Sequence, residues 1–170
     1  MSTTDAAELV RAEQDVQAKL GDLKIDFDAL AAVSNIFRAA SAARTHLERT
    51  VLSDLDLSFT AFTVLWVLWV WGEQESRVVA VEAGITKGTL TGVVNTLERR
   101  GLVRRRPHDD DRRLVLIAPT DAGEHTMNEL FPRFNREEAR IASGLGLDAQ
   151  RDLAGHLRQI QRTLEALSEQ

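Results

Sequence analysis

Nine lysines and arginines fall between Arg77 and Thr120, against five aspartates and glutamates. Arg104, Arg105, Arg106, Arg112 and Arg113 crowd around one acidic run, Asp109–Asp111. The rest of the chain holds 12 basic and 21 acidic residues, and the whole is net −5. A basic middle on an acidic frame fits a polyanion-binding module. A solvated charge run would have the same composition. Just upstream, Thr86, Lys87, Thr89, Thr91 and Asn95 are small polar or cationic residues of the kind that meet base edges.

Other chemistries find little support. The 170 residues include no cysteine, which excludes a disulfide framework, a thiolate metal site, a thiol nucleophile and a thiol peroxide sensor. His46, His108, His125 and His156 are scattered, without metal-ligand spacing. Gly-rich phosphate loops, nucleophile elbows and dinucleotide fingerprints do not occur. Asp109–Asp111 reads as a solvated turn more readily than as a chelator. The expectation is therefore a non-enzyme with no cofactor and no metal. The start, Met1–Val10, is polar and acidic rather than leader-like. The longest apolar run, Phe59–Trp71, covers 13 positions, short of a membrane span of about 20. A cytoplasmic protein with no membrane partner is expected.

The cationic residues need a helix and a hairpin to hold them. Val78–Ala83 reads as a short helix. Gly84 follows where a left-handed residue is wanted. Ile85 plugs the core, and Thr86 caps a helix running to about Arg100, with Leu90, Val93, Val94 and Leu97 inward. Gly101 stops it. Two helices around a tight glycine turn make a helix–turn–helix. Strands at Leu102–Arg106 and Arg113–Ile117, joined by a tip at 107–112, add a wing.

The flanks read as helices. Residues 1–24 suggest a short one. From Asp26 to about Leu52, the residues Leu30, Val33, Phe37, Ala40, Leu47 and Val51 recur at 3, 4, 3, 7 and 4, a single helical stripe. Ser58–Trp71 is apolar all round, capped by Ser58 and stopped by Gly72. Thr120 or Asp121 caps a helix over about 122–141. A last helix, about 149–168, carries Leu153, Leu157, Ile160, Leu164 and Leu167 at 4, 3, 4 and 3, a seam that can face its own domain or a second copy.

These segments together resemble the MarR family of transcriptional regulators: Leu57–Leu65, Gly84–Thr91, Leu97–Val103, Asp111-Arg112-Arg113 and Pro119–Gly123, in that order, with the resemblance spanning about residues 26–140. The resemblance implies a homodimer on double-stranded DNA. The first and last helices dimerise, helix 86–100 enters the major groove, and the wing tip reaches the minor groove with Asp111 holding Arg113. The physics agrees, since a carboxylate on a guanidinium limits its rotamers before binding. Arg104, Arg105, Arg106 and Arg112 would mainly face phosphates. Two features depart from the family. Gly88 and Gly92 replace the serine and the polar or basic residue more usual there, so carry-over to 92 fails. Asp109 and Asp110 should repel phosphate unless Arg106 or Arg112 pairs with them.

The resemblance also implies a small-molecule effector, often an aromatic acid or its coenzyme A thioester. Candidate contacts are Asn35, Arg38, Arg44, His46, Phe62, Trp66 and Trp69. Arg44 interrupts the apolar stripe; it either meets a ligand carboxylate or makes an interhelix pair. The tryptophans either stack a ring or pack the core.

The expected fold is mainly α with a small β-hairpin wing. It is a winged helix–turn–helix (57–120) flanked by N-terminal (1–56) and C-terminal (121–170) dimerisation helices. The expected function is a repressor released from a pseudo-palindromic operator by a ligand. The alternative is a winged-helix module for protein interaction or generic nucleic-acid binding without ligand control.

Overall fold

Ser58 starts the helix on which the rest of the DNA-binding unit is packed. Its hydroxyl accepts from the Ala61 amide (3.1 Å) and opens helix α3, Phe59–Trp71. Gly72 closes α3 at a φ of +73°. Between these caps, Ala61, Phe62, Val64, Leu65, Val67 and Leu68 are buried. A helix apolar on every face must be covered on several sides, and the later elements supply the cover.

The computed structural model describes residues 6–21 and 23–168. The chain divides into two compact units, with the break between Thr45 and His46. The first unit holds α1, Ala6–Leu20, and most of α2, Phe27–Leu47. Residues 1–5, where the first helix was expected to begin, lie outside the described residues. Asp26 caps α2 through the Ala29 amide (2.9 Å), and Asn35 of α2 donates to Glu13 of α1 (2.6 Å). Of the expected stripe, Leu30, Val33, Phe37 and Ala40 are exposed, whereas Leu47 and Val51 are buried.

The expected single helix over 26–52 is corrected. α2 stops at Leu47, and Glu48–Leu52 forms a wider turn in which the Ser53 amide bonds back to the Glu48 carbonyl. The hydroxyls of Thr50 and Ser53 bond the carbonyls of His46 (2.8 Å) and Arg49 (3.0 Å). Such back-bonding competes with regular helix hydrogen bonds. A short turn, Ser53–Leu55, then ends at Asp56 in the left-handed region.

After α3 come β1 (Gln74–Glu75), α4 (Ser76–Glu82), α5 (Lys87–Arg99), β2 (Val103–Pro107) and β3 (Val115–Pro119). The described sheet has three antiparallel strands in the order β1-β3-β2. Its register pairs Val103 with Pro119, Arg105 with Ile117 and Gln74 with Ile117 on the other side. The second wing strand therefore sits two residues later than the expected Arg113–Ile117, and the tip is longer. β1 was not anticipated, because two residues carry no alternation to read. α6 (Asp121–Ala142) and α7 (Leu147–Ser168) complete the unit.

The core joins Leu65 and Leu68 of α3, Val79 of α4, Leu90, Val94 and Leu97 of α5, Ile117 of β3, and Met127, Leu130 and Phe134 of α6. The start of α6 is fixed by contact with the turn after α5. Thr120 accepts from the Gly123 amide (3.1 Å) and donates to the Gly101 carbonyl (2.6 Å). A side chain at buried Gly123 would place its Cβ 2.1 Å from the Leu102 carbonyl oxygen, so this close approach needs glycine. No residue of α7 is buried.

Candidate nucleic-acid interface

The helix–turn–helix forms as its residues require. Gly84 takes a φ of +63° and Gly101 one of +70°. The Thr86 hydroxyl accepts from the Thr89 amide (3.2 Å) and meets the Thr89 hydroxyl (2.9 Å), capping α5. Leu90, Val94 and Leu97 seat α5 in the core, and Val93 is half-buried. The opposite face presents Thr86, Lys87, Gly88, Thr89, Thr91 and Asn95 to solvent. The Thr91 hydroxyl bonds back to the Lys87 carbonyl (3.0 Å), and added side chains at Gly88 and Gly92 would meet open space. Arg100 ties the end of α5 to the body through the carbonyls of Leu55 (2.5 Å) and Asp56 (2.8 Å).

On the wing tip, Asp111 grips Arg113 with both carboxylate oxygens (3.0 and 2.9 Å) and also accepts from the Arg113 amide (3.0 Å). These bonds hold the Asp111 carboxyl below the usual carboxylate range and raise the Arg113 guanidinium further above neutrality. The Arg113 side chain is nevertheless 90% exposed. Arg112 is exposed and has no side-chain partner among the described residues.

The strand arginines are engaged within the protein. Arg104 donates to the Pro119 carbonyl (3.0 Å). Arg105 donates to Glu98 (3.1 and 2.5 Å) and to Asn95 (2.7 Å), both on α5. Arg106 makes a two-bond pair with Glu73 (3.0 and 2.6 Å) and a third bond to Asp109 (2.9 Å). The expected condition on Asp109 is thus met by Arg106. The arginine bonds hold Glu73 and Glu98 below the usual carboxylate range. A groove of about 400 Å³ lies between α5 and the wing, lined by Lys87, Leu90, Thr91, Val94, Arg105 and Arg106 among others. Glu73 and Glu98 were not singled out from sequence. Glu73 lies 33 positions from Arg106 and Glu98 seven from Arg105, on a different element, so the available signal was their sign near a basic run.

The effector candidates fall in both units, Asn35, Arg38 and Arg44 in the first and His46, Phe62, Trp66 and Trp69 in the second. Phe62 is buried and stacks on Phe134 (centroids 4.0 Å apart). Phe62 and Trp66 line a cavity of about 280 Å³ together with Leu47, Phe59, Thr63, Phe131, Phe134 and Glu138. Trp69 lies outside this lining, packed on Phe131, with its indole N–H donating to Asn128 (3.2 Å). His46 pairs with Glu137 (2.9 Å). Asn35 is taken by Glu13, and Arg38 lines a separate groove between α1 and α2. Arg44 belongs to the first unit and is exposed.

A chain with this order of elements is a winged helix–turn–helix protein. Residues 57–115 match the MarR family model. The HTH-type transcriptional regulator YwaE of Bacillus subtilis (strain 168) is 36% identical over 156 residues, 90% of this chain and 91% of that protein. The crystal structure of the transcriptional regulator PA4135 is 27% identical, with a TM-score of 0.70 over 76% of this chain and 95% of that one. NadR, solved in complex with 4-hydroxyphenylacetate, is 25% identical, with a TM-score of 0.65 over 74% and 89%. The chain belongs to the MarR family of DNA-binding transcriptional regulators. No single helix among the described residues is long and apolar enough to cross a membrane.

Proposed function

We propose that this regulator is a homodimeric repressor that places α5 in the major groove and the Arg113 tip in the adjacent minor groove of a pseudo-palindromic operator. The observation that carries the reading is the pairing of a solvent-facing polar surface on α5 with an exposed, pre-oriented Arg113 beyond it. A major groove about 12 Å wide admits a helix, and a narrow minor groove attracts arginine. Thr86, Lys87, Gly88, Thr89, Thr91 and Asn95 face base edges in this arrangement, and Arg112 meets phosphate. Residues 1–56 and 121–170 form the dimerisation part around the DNA-binding part, 57–120. Two copies then present half-sites about one helical turn apart. The compartment is the cytoplasm.

The effector in this reading is a small aromatic molecule in the Phe62–Trp66 cavity. The lining is almost wholly apolar, and Glu138 offers an acceptor for a phenolic hydroxyl. The complex of NadR with 4-hydroxyphenylacetate supports a phenolic acid as the class. The test is fluorescence anisotropy on the intergenic DNA beside the protein's own gene, against scrambled DNA, at about 50 and 200 mM salt. Selective binding that persists at the higher salt, and that a phenolic acid reverses, is expected. Equal, salt-fragile binding to both DNAs would leave a generic polyanion surface instead.

A further inference from the structure

Two of the wing arginines arrive at the interface already neutralised, and by residues outside the wing. Glu98 comes from α5 and reaches Arg105 across seven positions. Glu73 comes from the turn between α3 and β1 and reaches Arg106 across 33 positions. Arg106 also carries Asp109, so three formal charges at that point sum to a negative one. Arg112 and Lys87 are exposed and have no side-chain partner among the described residues, and Arg113 is held by Asp111 but exposed. The basic run is thus split into cations presented to solvent and cations turned onto fixed carboxylates.

Generic DNA affinity comes almost entirely from cations that displace counterions condensed on phosphates. A guanidinium that keeps its own carboxylate neutralises no phosphate, and the carboxylate beside it repels the backbone. Discrimination is a difference between two affinities, so it rises when generic binding loses its phosphate contacts while the operator is still held by base contacts that generic DNA lacks. From this geometry we infer that Glu73 and Glu98 are specificity residues. They withhold Arg106 and Arg105 from generic phosphate, leaving α5 and the Arg112–Arg113 tip to decide where the protein stays. This rests on the DNA-facing role given above to α5 and the wing.

The test uses the full-length protein, a random-sequence duplex of about 30 bp, and anisotropy across about 50–200 mM salt. Glu73→Gln and Glu98→Gln keep side-chain shape and remove charge. Asp148→Asn on α7 removes the same charge away from the wing. Glu98→Gln should tighten generic binding several-fold and steepen the salt slope by about 1. Glu73→Gln leaves Arg106 on Asp109, so it should do the same only with Asp109→Asn beside it, and all three changes together should steepen the slope by about 2. Asp148→Asn should leave the slope unchanged. Arg106→Ala in the wild type should change the slope less than Arg112→Ala. If Glu98→Gln and the triple variant bind generic DNA no tighter, or more weakly, the inference fails, because the carboxylates then merely orient their arginines for contact. A wild type that binds duplex and is weakened by Arg113→Ala keeps the interface reading in either case. A wild type that binds no duplex overturns both.

Discussion

Asp111 holds Arg113 through three hydrogen bonds while leaving its side chain almost fully exposed. The pair is local, two residues apart, with the Arg113 side chain 90% exposed, so it contributes little to folding. Its effect is to fix in advance a side chain that otherwise loses up to about 2 kcal/mol of rotamer entropy on being ordered. Arg113→Ala should therefore reduce operator affinity by about tenfold or more with an unchanged melting temperature. Asp111→Ala should cost less, since it loosens the arginine without removing it. Titrations of both variants on the same duplex check the order; an Asp111→Ala protein that binds as weakly as Arg113→Ala would make the carboxylate more than a positioner.

Gly123 sits where α6 meets the carbonyl of Leu102 at a distance no Cβ tolerates. Gly123→Ala gains up to about 1 kcal/mol of helix propensity but forces backbone apart, an overpacking cost of about 1–3 kcal/mol. The overpacking should win. Urea unfolding should show a lower midpoint, with the expected Thr120 cap displaced. The clash lies between the end of one helix turn and the start of another, so wing placement and DNA affinity should fall with it.

The parts of the molecule that are legible in the sequence are those fixed by local chemistry. Ser58, Thr86 and Thr120 are caps because their hydroxyls find an amide three residues on. Gly84 and Gly101 turn the chain because only glycine enters that region readily. α5 and α3 follow from apolar spacing. Long-range chemistry was not legible. The partners of Arg105 and Arg106 depend on strand register and on where the turn after Gly72 lands. The break of α2 at Leu47 is likewise hidden, because the apolar stripe continues to Val51 straight through the wider turn. Periodicity likewise gives a face but not a neighbour, so the Phe62–Phe134 stack could not be read from spacing.

Gly88 and Gly92 have open space around them, with nothing nearer to an added Cβ than the Thr86 hydroxyl at 3.9 Å. Folding does not require either glycine. Gly88→Ala and Gly92→Ala should each stabilise the protein by about 1 kcal/mol. If the bare backbone lies against DNA, the same substitutions should weaken operator binding while raising stability. Thermal melts and anisotropy on one set of samples separate the two effects. Unchanged binding would mark both positions as surface drift.

Glu137 accepts from His46 (2.9 Å) and from Arg140 (2.8 Å), and these bonds, His46 first, hold its carboxyl below the usual carboxylate range. A depressed folded value means the folded state binds its proton later than the unfolded chain does. The contribution to stability is present above the ordinary glutamate value, about 4.3, and is lost as pH falls through the lower folded value. Glu137→Gln should therefore lower stability at neutral pH, and the gap to wild type should close below about pH 4. Urea midpoints measured across that range check the sign; a gap that widens on acidification would reverse it.

The seam of α7 leaves apolar side chains uncovered. Leu153, Ile160, Leu164 and Leu167 are all exposed, the last two at 57% and 60%. Their spacing is that of a coiled-coil face, and a stripe of this kind seldom stays in water on a stable monomer. In the proposed homodimer a second copy would supply a matching stripe and bring a second α5, as a palindromic operator requires. Replacing Leu157 and Leu164 together with Asp should shift the protein to a monomer in sedimentation equilibrium. Near-native helix content should survive, because no residue of α7 belongs to the buried core. Operator affinity should then fall by orders of magnitude, since each half-site would bind alone without the effective concentration its partner provides. A double variant that still sediments as a dimer would move the dimer contact off this seam.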